Sequence, residues 1–460
     1  MLRELLSYKS AILGLGLLLF LLSISVYAIV AIPYSESINL WRGEGGIWLE
    51  NPRNAQPYWV RYLGMNLPEN IELDSSQAGS AKILTPIPGS NLKMLNMAFS
   101  FDYDYDDFPS EINIFFTSKY TGSAPVVRIN WIKPGNKEIK LPDYILGSQS
   151  DKFYLSIDPK VSSLLYDYTA KITSVKPESA LPVEQVLFAV ENKTMANPST
   201  IRPLKGTYTV VIEGTLFGAD SVLDAKIVIY GKVYGLAGTD HLRRDLTIAL
   251  LWGTPIALSF GLVASIAITS LQILLASVSG YYGGKIDSAI QRLTEVYMIL
   301  PFLPFLILAA SLYKVDIWVI LLMIIVLSIF GQGVKSTRAL VMQIKEYPYV
   351  EAARSYGASP RRIILYYIIP KILPTVIPSL IAAVPGYVFL EASLAFLGLG
   401  DPYLPSWGKV IDDSFTGGAL YKGYYYWVLE PAFMLILTAF AFSFLGFALD
   451  KLVNPRLKEV

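Results

Sequence analysis

Closely spaced aspartates in the segment FDYDYDDF are the residues of this chain best placed to bind a metal ion. Asp102, Asp104 and Asp106 have the spacing of the first three calcium ligands of an EF-hand loop. The sixth position of that loop needs a glycine and the twelfth a glutamate, but Asp107 and Asn113 occupy them here. The segment is therefore more typical of an exposed strand or turn with a solvated acidic face.

Residues for catalysis or nucleotide hydrolysis are not grouped in the sequence. The one histidine, His241, has only Asp240 and Asp245 as acidic neighbours, so we interpret it as a turn residue and predict no metal site. Each Gly-Lys pair is followed by Val or Ile, where a phosphate-binding loop needs Ser or Thr to hold magnesium. We therefore predict that the chain is not an enzyme and holds no cofactor.

Composition indicates a membrane protein with a substantial soluble part. Hydrophobic residues make up 53% of the chain and charged residues 16%, whereas about a quarter of a soluble domain is charged. The first apolar segment is too long for the core of a signal peptide, so we interpret it as a retained span. Six spans are predicted: Ala11–Ile32, Leu246–Val278, Ile290–Leu312, Ile317–Phe330 with its continuation, Ile372–Phe396 and Trp427–Leu449.

Charge distribution predicts the orientation of these spans. Basic residues are concentrated in alternate loops, which places both termini in the cytoplasm by the positive-inside rule. Residues 33–240 hold 23 acidic and 19 basic side chains, whereas the rest of the chain holds 14 and 19. We therefore predict three parts: a cytoplasmic start and first span (1–32), an extracytoplasmic domain (33–240) and a five-helix membrane core (241–460).

The extracytoplasmic segment has the pattern of a β domain. Several runs mix β-branched and aromatic residues and are bounded by turn-forming residues. A β-sandwich is expected, large enough to bury its own core without disulfides, and the chain has no cysteine. The clearest predicted strands are Glu111–Tyr120, Val126–Ile132, Gly206–Phe217 and Ala225–Gly235.

A polar island at Tyr349–Pro370 separates two apolar segments and contains helix start and stop signals. Glu351 lies where the positive end of a helix dipole favours an acid, and Gly357 is a typical helix terminator. Ser359 followed by Pro360 repeats the start signal. The pattern predicts a first helix of about two turns and a second helix that runs toward Pro370.

Small and basic side chains suggest that the island docks onto a partner. Ala352 and Ala353 are expected to leave one helix face nearly flat, so that another protein can approach closely. Arg354, Arg361 and Arg362 are expected to keep the segment in water.

The island resembles the EAA signature of ABC importer permeases, in which this loop is the coupling helix that docks onto a cytoplasmic ATPase. Tyr367 and Ile369 stand where the signature prefers Ile and Leu, which is a mild departure. The residues that match are Glu351, Ala352, Ala353, Gly357 and Pro370.

Further motifs are similar to the dipeptide, oligopeptide and nickel class of these permeases, of the DppC or OppC subunit type. That class commonly has Gly where Arg243 stands, so the turn before the second span is expected to differ. The motifs occur in the family's order: GTDHLRRD at Gly238–Asp245, GYYGGKIDSAIQRLTE at Gly280–Glu295, LEASLAFLGLG at Leu390–Gly400, PSWG at Pro405–Gly408 and NPRL at Asn454–Leu457.

The resemblance implies a type I importer permease with its coupling helix within residues 346–370. Its partners would be a second, DppB-like permease, two cytoplasmic ABC ATPases that bind ATP and magnesium, an extracytoplasmic solute-binding protein and membrane lipid, with no nucleic acid. Peptides are the expected substrate, and oligosaccharides or nickel remain alternatives. An anchored receptor that works through its β domain is a further alternative.

Prolines and acids within the spans are the candidates for the transport pathway. Glu391, near the outer end of the fifth span, is expected to face protein or pore, and Glu295 to pair with Arg292 near the inner surface. Pro301 and Pro304 are expected to bend the third span. Three more prolines are expected to interrupt and bend the fifth: Pro374, Pro378 and Pro385.

Overall fold

The computed structural model describes residues 4, 6–76, 81–177, 179–197, 200–218, 220–312 and 316–453. The chain divides into two units. One is helical and comprises Met1–Glu44 and Leu246–Val460, and the other comprises Gly45–Asp245. We call them the helical unit and the β unit. The β unit comprises most of the predicted extracytoplasmic segment 33–240, and the NPRL motif lies outside the described residues.

Within the described residues, α1 (Lys9–Ala31) and α2 (Tyr34–Arg42) of the helical unit precede the β unit, and its other helices follow it. Helices α3 (Pro159–Thr173) and α4 (Val183–Phe188) belong to the β unit. The helices that follow it are α5 (Leu246–Tyr282), α6 (Gly284–Ile299), α7 (Phe302–Leu312), α8 (Ile317–Ser328), α9 (Gln332–Ile344), α10 (Pro348–Ser355), α11 (Pro360–Ile363), α12 (Ile369–Phe396), α13 (Trp407–Thr416), α14 (Ala419–Lys422) and α15 (Tyr426–Val453).

Four helices among the described residues are long and apolar enough to cross a membrane: α1, α5, the continuous helix Pro360–Phe396 and α15. The pairs α6–α7 and α8–α9 are bent by 76° and 48°, so the number of candidate spans is up to six if each pair is one span. Pro301 lies at the 76° bend, and Leu300 before it is extended, as a following proline favours.

The prolines of the fifth predicted span do not interrupt it. Pro374, Pro378 and Pro385 all lie inside the continuous helix α12, so the expected interruption is wrong. A proline removes one backbone donor from a helix, and neighbouring helices can compensate within a membrane. The Ser265 hydroxyl of α5 donates a hydrogen bond to the Leu380 carbonyl in this stretch (2.6 Å).

Close helix packing in this unit depends on small residues. A side-chain carbon at Gly14 of α1 would lie 2.9 Å from the Leu445 backbone nitrogen of α15. One at Gly261 of α5 would lie 2.6 Å from the Val388 side chain of α12. Such close approach is the usual way in which helices associate in lipid, where apolar side chains gain little by leaving their surroundings.

Among the residues that the structure describes, the β unit has ten strands in two antiparallel sheets. The first sheet has the order β1-β10-β4-β8 and the second β2-β3-β9-β5-β6, with β7 also paired to β5. The strands are β1 (Ile71–Asp74), β2 (Ala81–Pro86), β3 (Leu92–Tyr103), β4 (Glu111–Lys119), β5 (Val126–Lys133), β6 (Lys137–Lys140), β7 (Tyr144–Ile145), β8 (Ser150–Tyr154), β9 (Gly206–Phe217) and β10 (Val222–Tyr230). The four strands that the sequence predicted most clearly are confirmed as β4, β5, β9 and β10.

One core cluster in the β unit combines residues of both sheets with two helices, α3 (Pro159–Thr173) and α4 (Val183–Phe188). The Trp131 and Phe188 rings lie 5.4 Å apart, and those of Phe188 and Tyr208 4.8 Å apart. Beside this cluster Lys133 is buried, and burial lowers its pKa although Glu191 lies 3.2 Å away. Its ammonium group also donates to the carbonyls of α4 at Val186 (2.8 Å). The sequence patterns did not predict these helices.

The aspartates of FDYDYDDF pair with lysines. Lys205 lies 3.1 Å from an Asp104 oxygen and 2.8 Å from an Asp106 oxygen. Lys232 lies 2.6 Å from an Asp107 oxygen. Within the described ranges, no three His, Cys, Asp or Glu side chains are grouped as a metal ion would require. The segment ends β3 and continues into a turn, as the preferred interpretation predicted.

Arg243 adopts the left-handed backbone conformation for which glycine is usual, with φ of 68°. The backbone of the turn therefore keeps the conformation that a glycine would adopt. The turn differs from the family's expected turn in its side chain. The Arg243 guanidinium donates to the Asn51 carbonyl (2.5 Å), pairs with Glu111 and lies 4.4 Å from the Tyr230 ring centroid. These contacts fasten the end of the β unit to β4 and β10.

We expect Arg243→Gly to lower the free energy of unfolding of the β unit by about 2–5 kcal/mol. Hydrogen bonds to charged groups contribute about 1.5–3 kcal/mol each, and relief of the left-handed backbone offsets about 1 kcal/mol. Thermal unfolding of the purified full-length protein, followed by near-UV circular dichroism, measures the change. Arg243→Asn tolerates the same backbone conformation without the contacts and should lose a similar amount. A glycine variant as stable as the parent would contradict the assignment.

Candidate functional site

The polar island forms a short helix that ends in a well-defined turn. In α10, the Gly357 amide donates to the Arg354 carbonyl and the Ala358 amide to the Ala353 carbonyl, both at 3.0 Å. This pair of bonds is a Schellman motif, and Gly357 has the left-handed φ of 79° that the motif needs. The two-turn helix and its end at Gly357 are confirmed.

A second cap follows at once. The Ser359 hydroxyl accepts a hydrogen bond from the Arg362 amide (3.4 Å), and Pro360 occupies the first position of α11. The predicted helix start at Ser359 and Pro360 is therefore confirmed. Both ends of the connection between α10 and α11 are thus held by local hydrogen bonds, so the orientation of α10 is well determined.

Apolar side chains hold α10 against the rest of the helical unit. Val350 is fully buried in a cluster with Val341 and Ile344 of α9 and Ile363 of α11. Ala353 is also buried, so the expectation that it faces a partner is wrong. On a helix of two turns only one side can pack inward, and Val350 and Ala353, three residues apart, occupy it.

The opposite edge of α10 is open to solvent. Glu351 and Ala352 are exposed, and Tyr356 is 92% exposed at the end of the helix, next to Gly357. A side-chain carbon at Gly357 would have no neighbour within 4 Å among the described residues. We call Glu351, Ala352, Tyr356 and Gly357 the exposed edge. Tyr356 was not singled out from the sequence, although a tyrosine just before a terminating glycine marks a protruding tip.

The basic residues of the island differ in their surroundings. Arg354 lies over the Tyr281 ring, with 5.8 Å between the guanidinium carbon and the ring centroid. Arg361 and Arg362 are exposed, and neither has a carboxylate partner in the part of the chain that the structure describes. Partial burial, with the nearby Tyr347 hydroxyl, raises the pKa of Tyr349. The island therefore presents unpaired positive charge next to the exposed edge.

The helix that begins at Pro360 does not end near Pro370. A π-helical segment, Ile364–Ile368, joins α11 directly to α12, and the Ile369 amide bonds to the Ile364 carbonyl five residues earlier. Pro370 has no amide to offer to the usual partner four residues back, and a π turn accommodates such a break in the bonding pattern. The expected end of the second helix is thus replaced by one continuous helix, Pro360–Phe396.

An ionic network behind the island joins three helices. The Arg338 guanidinium of α9 forms a two-pronged pair with Asp287 of α6, with 2.6 Å from Nε to Oδ1. Asp287 also accepts a hydrogen bond from Ser279 of α5, and Gln291 donates to the Ser279 hydroxyl at 3.1 Å. Because Val350 of α10 packs against apolar residues of α9, the network that holds α9 also positions the island. The motif at Gly280–Glu295 contains Asp287, but its partner lies too far along the chain to be identified by spacing.

The two acids of the predicted spans differ in their surroundings. Glu295 is exposed and pairs with Lys335 (3.3 Å), so the expected pairing with Arg292 is wrong. Glu391 is buried, and its partner is the Ser406 side chain. Glu391 therefore contacts protein, within the packed junction of α12 and α13.

The PSWG motif builds that junction. Ser406 caps α13 by accepting from the Lys409 amide (3.3 Å), and the buried Trp407 indole donates to the Leu250 carbonyl of α5 (3.1 Å). A side-chain carbon at Gly408 would lie 2.6 Å from the Ala392 Cα atom of α12. The motif thus packs α5, α12 and α13 together beside Glu391. This position favours a packing role for Glu391.

Known proteins resemble this chain mainly in the helical unit. Residues 272–459 match the family described as binding-protein-dependent transport system inner membrane component. The dipeptide transport system permease protein DppC of Bacillus subtilis is 33% identical over 223 residues, which cover 48% of this chain and 69% of the relative. The oligopeptide transport system permease proteins OppC of Haemophilus influenzae and Escherichia coli K12 are each 33% identical, covering 48% of this chain and 71% and 72% of the relatives.

We expect Arg338→Ala to lower the midpoint of thermal unfolding of the helical unit, because it leaves the largely buried Asp287 without its partner. Removing the hydrogen-bond partner of a buried polar group typically lowers the free energy of unfolding by about 1–3 kcal/mol. Arg338→Lys keeps the charge but loses the two-pronged geometry, so its unfolding midpoint should lie between those of the parent and the Arg338→Ala variant. Lys335→Ala, which removes an exposed pair on the same helix, is the control and should change the midpoint little. Equal shifts in the Arg338→Ala and Lys335→Ala variants would contradict a special role for the network.

Proposed function

The chain belongs to the ABC importer permeases of the DppC and OppC type, and from this membership we propose that its exposed edge is the surface through which partner ATPases drive transport. It has the type I ABC permease domain of a multi-pass protein of the cytoplasmic membrane, and such subunits are not themselves enzymes. ATP and magnesium would be bound by two separate ATPase subunits. A second, DppB-like permease would complete the pathway, and a solute-binding protein would deliver the substrate.

The proposed topology has six spans, with both bent helix pairs counted as single spans. Both termini and the α10–α11 segment lie in the cytoplasm, and residues 33–240 lie outside, with the two sheets of the β unit forming a β-sandwich. The concentration of basic residues beside α10 and α11 supports this orientation. The two antiparallel sheets that share one core cluster support the sandwich.

The exposure of Tyr356 and Gly357 beside the anchored Val350 is the observation that carries the proposal. A docking helix must be held firmly on one side and open on the other. Val350 provides the first condition, and the exposed edge provides the second. Ala352, with its small side chain, lets a partner surface approach the helix backbone. Tyr356 offers a large rigid ring of the kind that dominates binding energy at protein interfaces.

Charge gives the docking surface its specificity. Glu351 lies in the first turn of α10, and no basic partner for it occurs in the described parts of the chain. Arg361 and Arg362 are likewise unpaired. We propose that acids around a groove on each ATPase pair with these arginines, and that a basic or amide group there meets Glu351. Such complementary charges orient a complex and exclude wrong partners.

Motion of the ATPases reaches the spans through the chain itself. The Schellman motif and the Ser359 cap join α10 to the start of the continuous helix Pro360–Phe396. A push on the exposed edge therefore acts directly on the base of a span. In this proposal Pro374, Pro378, Pro385, Glu391 and Glu295 shape and pack that machinery, and substrate contact is made elsewhere along the pathway.

Peptides are the proposed substrate class, because the similar permeases are named for dipeptide and oligopeptide transport. The solute-binding protein would deliver the substrate to the permease, so its binding pocket would determine which peptides are transported. Uptake of labelled di- to pentapeptides by the reconstituted complex, with oligosaccharides as competitors, tests this point. Competition by an oligosaccharide and no competition by peptides would overturn it.

We expect a photoreactive label at Tyr356→Cys to cross-link to an ATPase subunit in the assembled transporter. The chain has no cysteine, so a single introduced thiol is labelled cleanly. Tyr421→Cys is the matched control, because Tyr421 is 93% exposed but lies between the last two proposed spans on the other side. Only the label at 356 should yield an adduct that contains a nucleotide-binding polypeptide. Adducts from 421 alone, or equally from both, would contradict the proposal.

The same two variants test the orientation. A membrane-impermeant maleimide should label Tyr421→Cys in intact cells and Tyr356→Cys only after the membrane is opened. The reverse pattern would place the island outside and rule out contact with a cytoplasmic ATPase.

We expect Gly357→Trp to abolish transport while the protein still assembles, because its side chain would occupy the space in which the partner docks. Gly357→Asn is the control, since asparagine tolerates the left-handed conformation and adds little bulk. Peptide uptake and ATP hydrolysis stimulated by the loaded binding protein are the measurements, with membrane levels of each variant determined in parallel. Normal uptake by the tryptophan variant would count against docking at this turn.

A further inference from the structure

An exposed aromatic and aliphatic patch lies on the β unit, separate from the coupling surface. It consists of Trp59, Tyr62, Leu63, Met65 and Leu236, all exposed, with Tyr62 at 81% and Leu236 at 74%. We call these five residues the aromatic patch. Neither the family resemblance nor the proposed transport mechanism gives it a task.

Local structure turns the patch outward. Residues Tyr58–Leu63 form a 3-10 helix, in which side chains three apart lie on the same side, as Trp59 and Tyr62 do. Val60 points the other way and is buried with Leu67 and Val233. The helix is therefore anchored through Val60 and presents both aromatic rings to the surroundings.

The patch includes the segment that leads into the membrane. The Trp59 indole donates a hydrogen bond to the Leu236 carbonyl (3.1 Å), which joins the 3-10 helix to residues 235–245. Thr239 pairs with Asp245 in an antiparallel bridge, so these two residues lie about 5 Å apart. Leu236 is three residues before Thr239 and thus within about 15 Å of Asp245. The apolar helix α5 begins at the next residue, Leu246.

The basic side chain of the 3-10 helix is paired. The one guanidinium of the 3-10 helix, Arg61, pairs with Glu69 and donates to the Asn66 side chain at 2.9 Å. The five side chains of the patch are themselves uncharged, and a surface of Trp, Tyr, Leu and Met is costly to leave in water. Trp and Tyr are the residues enriched where proteins meet lipid headgroups, because each has an apolar ring and one polar group.

We propose that the aromatic patch rests on the membrane surface, with the rings of Trp59 and Tyr62 inserted among the lipid headgroups. The tether of about 15 Å to the start of α5 brings the patch within reach of the headgroup layer. The β unit then has a third point of attachment to the membrane besides its two chain connections. This proposal goes beyond the transport function and does not depend on which partners the permease has.

Spin labels on single cysteines in the full-length protein test this proposal in lipid nanodiscs. Tyr62→Cys and Leu63→Cys carry the label within the patch. Val222→Cys is the control, since Val222 is also exposed and lies at the far end of β10, about 26 Å along the strand from Tyr230. Collision of the label with oxygen, which concentrates in lipid, is compared with collision with a water-soluble nickel chelate.

We expect oxygen to collide more than the nickel chelate at positions 62 and 63, and the chelate to dominate at 222. Dominance of the chelate at all three positions would overturn the proposal. Low collision with both reagents at 62 and 63 would also overturn it, because it would mean that a protein partner covers the patch. All three residues are exposed, so the substitutions should leave folding intact, and size-exclusion profiles check this.

A second measurement uses the native tryptophan. Brominated lipids quench tryptophan fluorescence at short range, and Trp59→Phe should remove a quenched component if the indole lies among the headgroups. Identical quenching in the parent and the Trp59→Phe protein would contradict the proposal independently of the labels.

Discussion

Inside a bilayer, each backbone amide and carbonyl group must find its hydrogen-bond partner within the protein, and the helical unit is arranged around this requirement. Helix α12 stays continuous through three prolines, and the Ser265 hydroxyl from a neighbouring helix serves the Leu380 carbonyl in that stretch. The Trp407 indole does the same for the Leu250 carbonyl. Close packing through small residues brings these donors within reach. Side chains of neighbouring helices thus add hydrogen bonds to backbone carbonyls within the unit.

The α10–α11 segment is built under the opposite condition, because water can satisfy its free backbone groups. Helices can end there abruptly, and Gly357 and Ser359 end one and begin the next within two residues. The geometry of this turn depends on local hydrogen bonds, whereas its position depends on Val350 and on the Arg338–Asp287 pair behind it. The exposed edge therefore has a defined local geometry and a fixed position on the helical unit.

Features that depend on near neighbours in the chain could be predicted from the sequence. The ends of α10 and the strands β4, β5, β9 and β10 follow from capping residues and alternation. The bounds of β4, β5 and β9 agree closely with the structure, whereas β10 begins three residues earlier and ends five residues earlier than predicted. Features set by distant contacts could not. Which alanine of the pair Ala352 and Ala353 is buried depends on where α9 lies, and the partner of Glu295 is forty residues away. The side chain of Arg243 was seen as a departure, but its partners Asn51 and Glu111 come from distant segments.

The continuous helix Pro360–Phe396 makes the base and the far end of one span a single lever. Its 37 residues correspond to a length of about 55 Å, nearly twice the hydrocarbon thickness. A tilt of about 10° around its middle would carry each end through about 5 Å, and the two ends would move in opposite directions. The Glu391–Ser406 contact sits at the far end of that lever, where α13 begins. A displacement imposed at Pro360 would thus reappear, reversed, at the opposite end of the helix near Phe396.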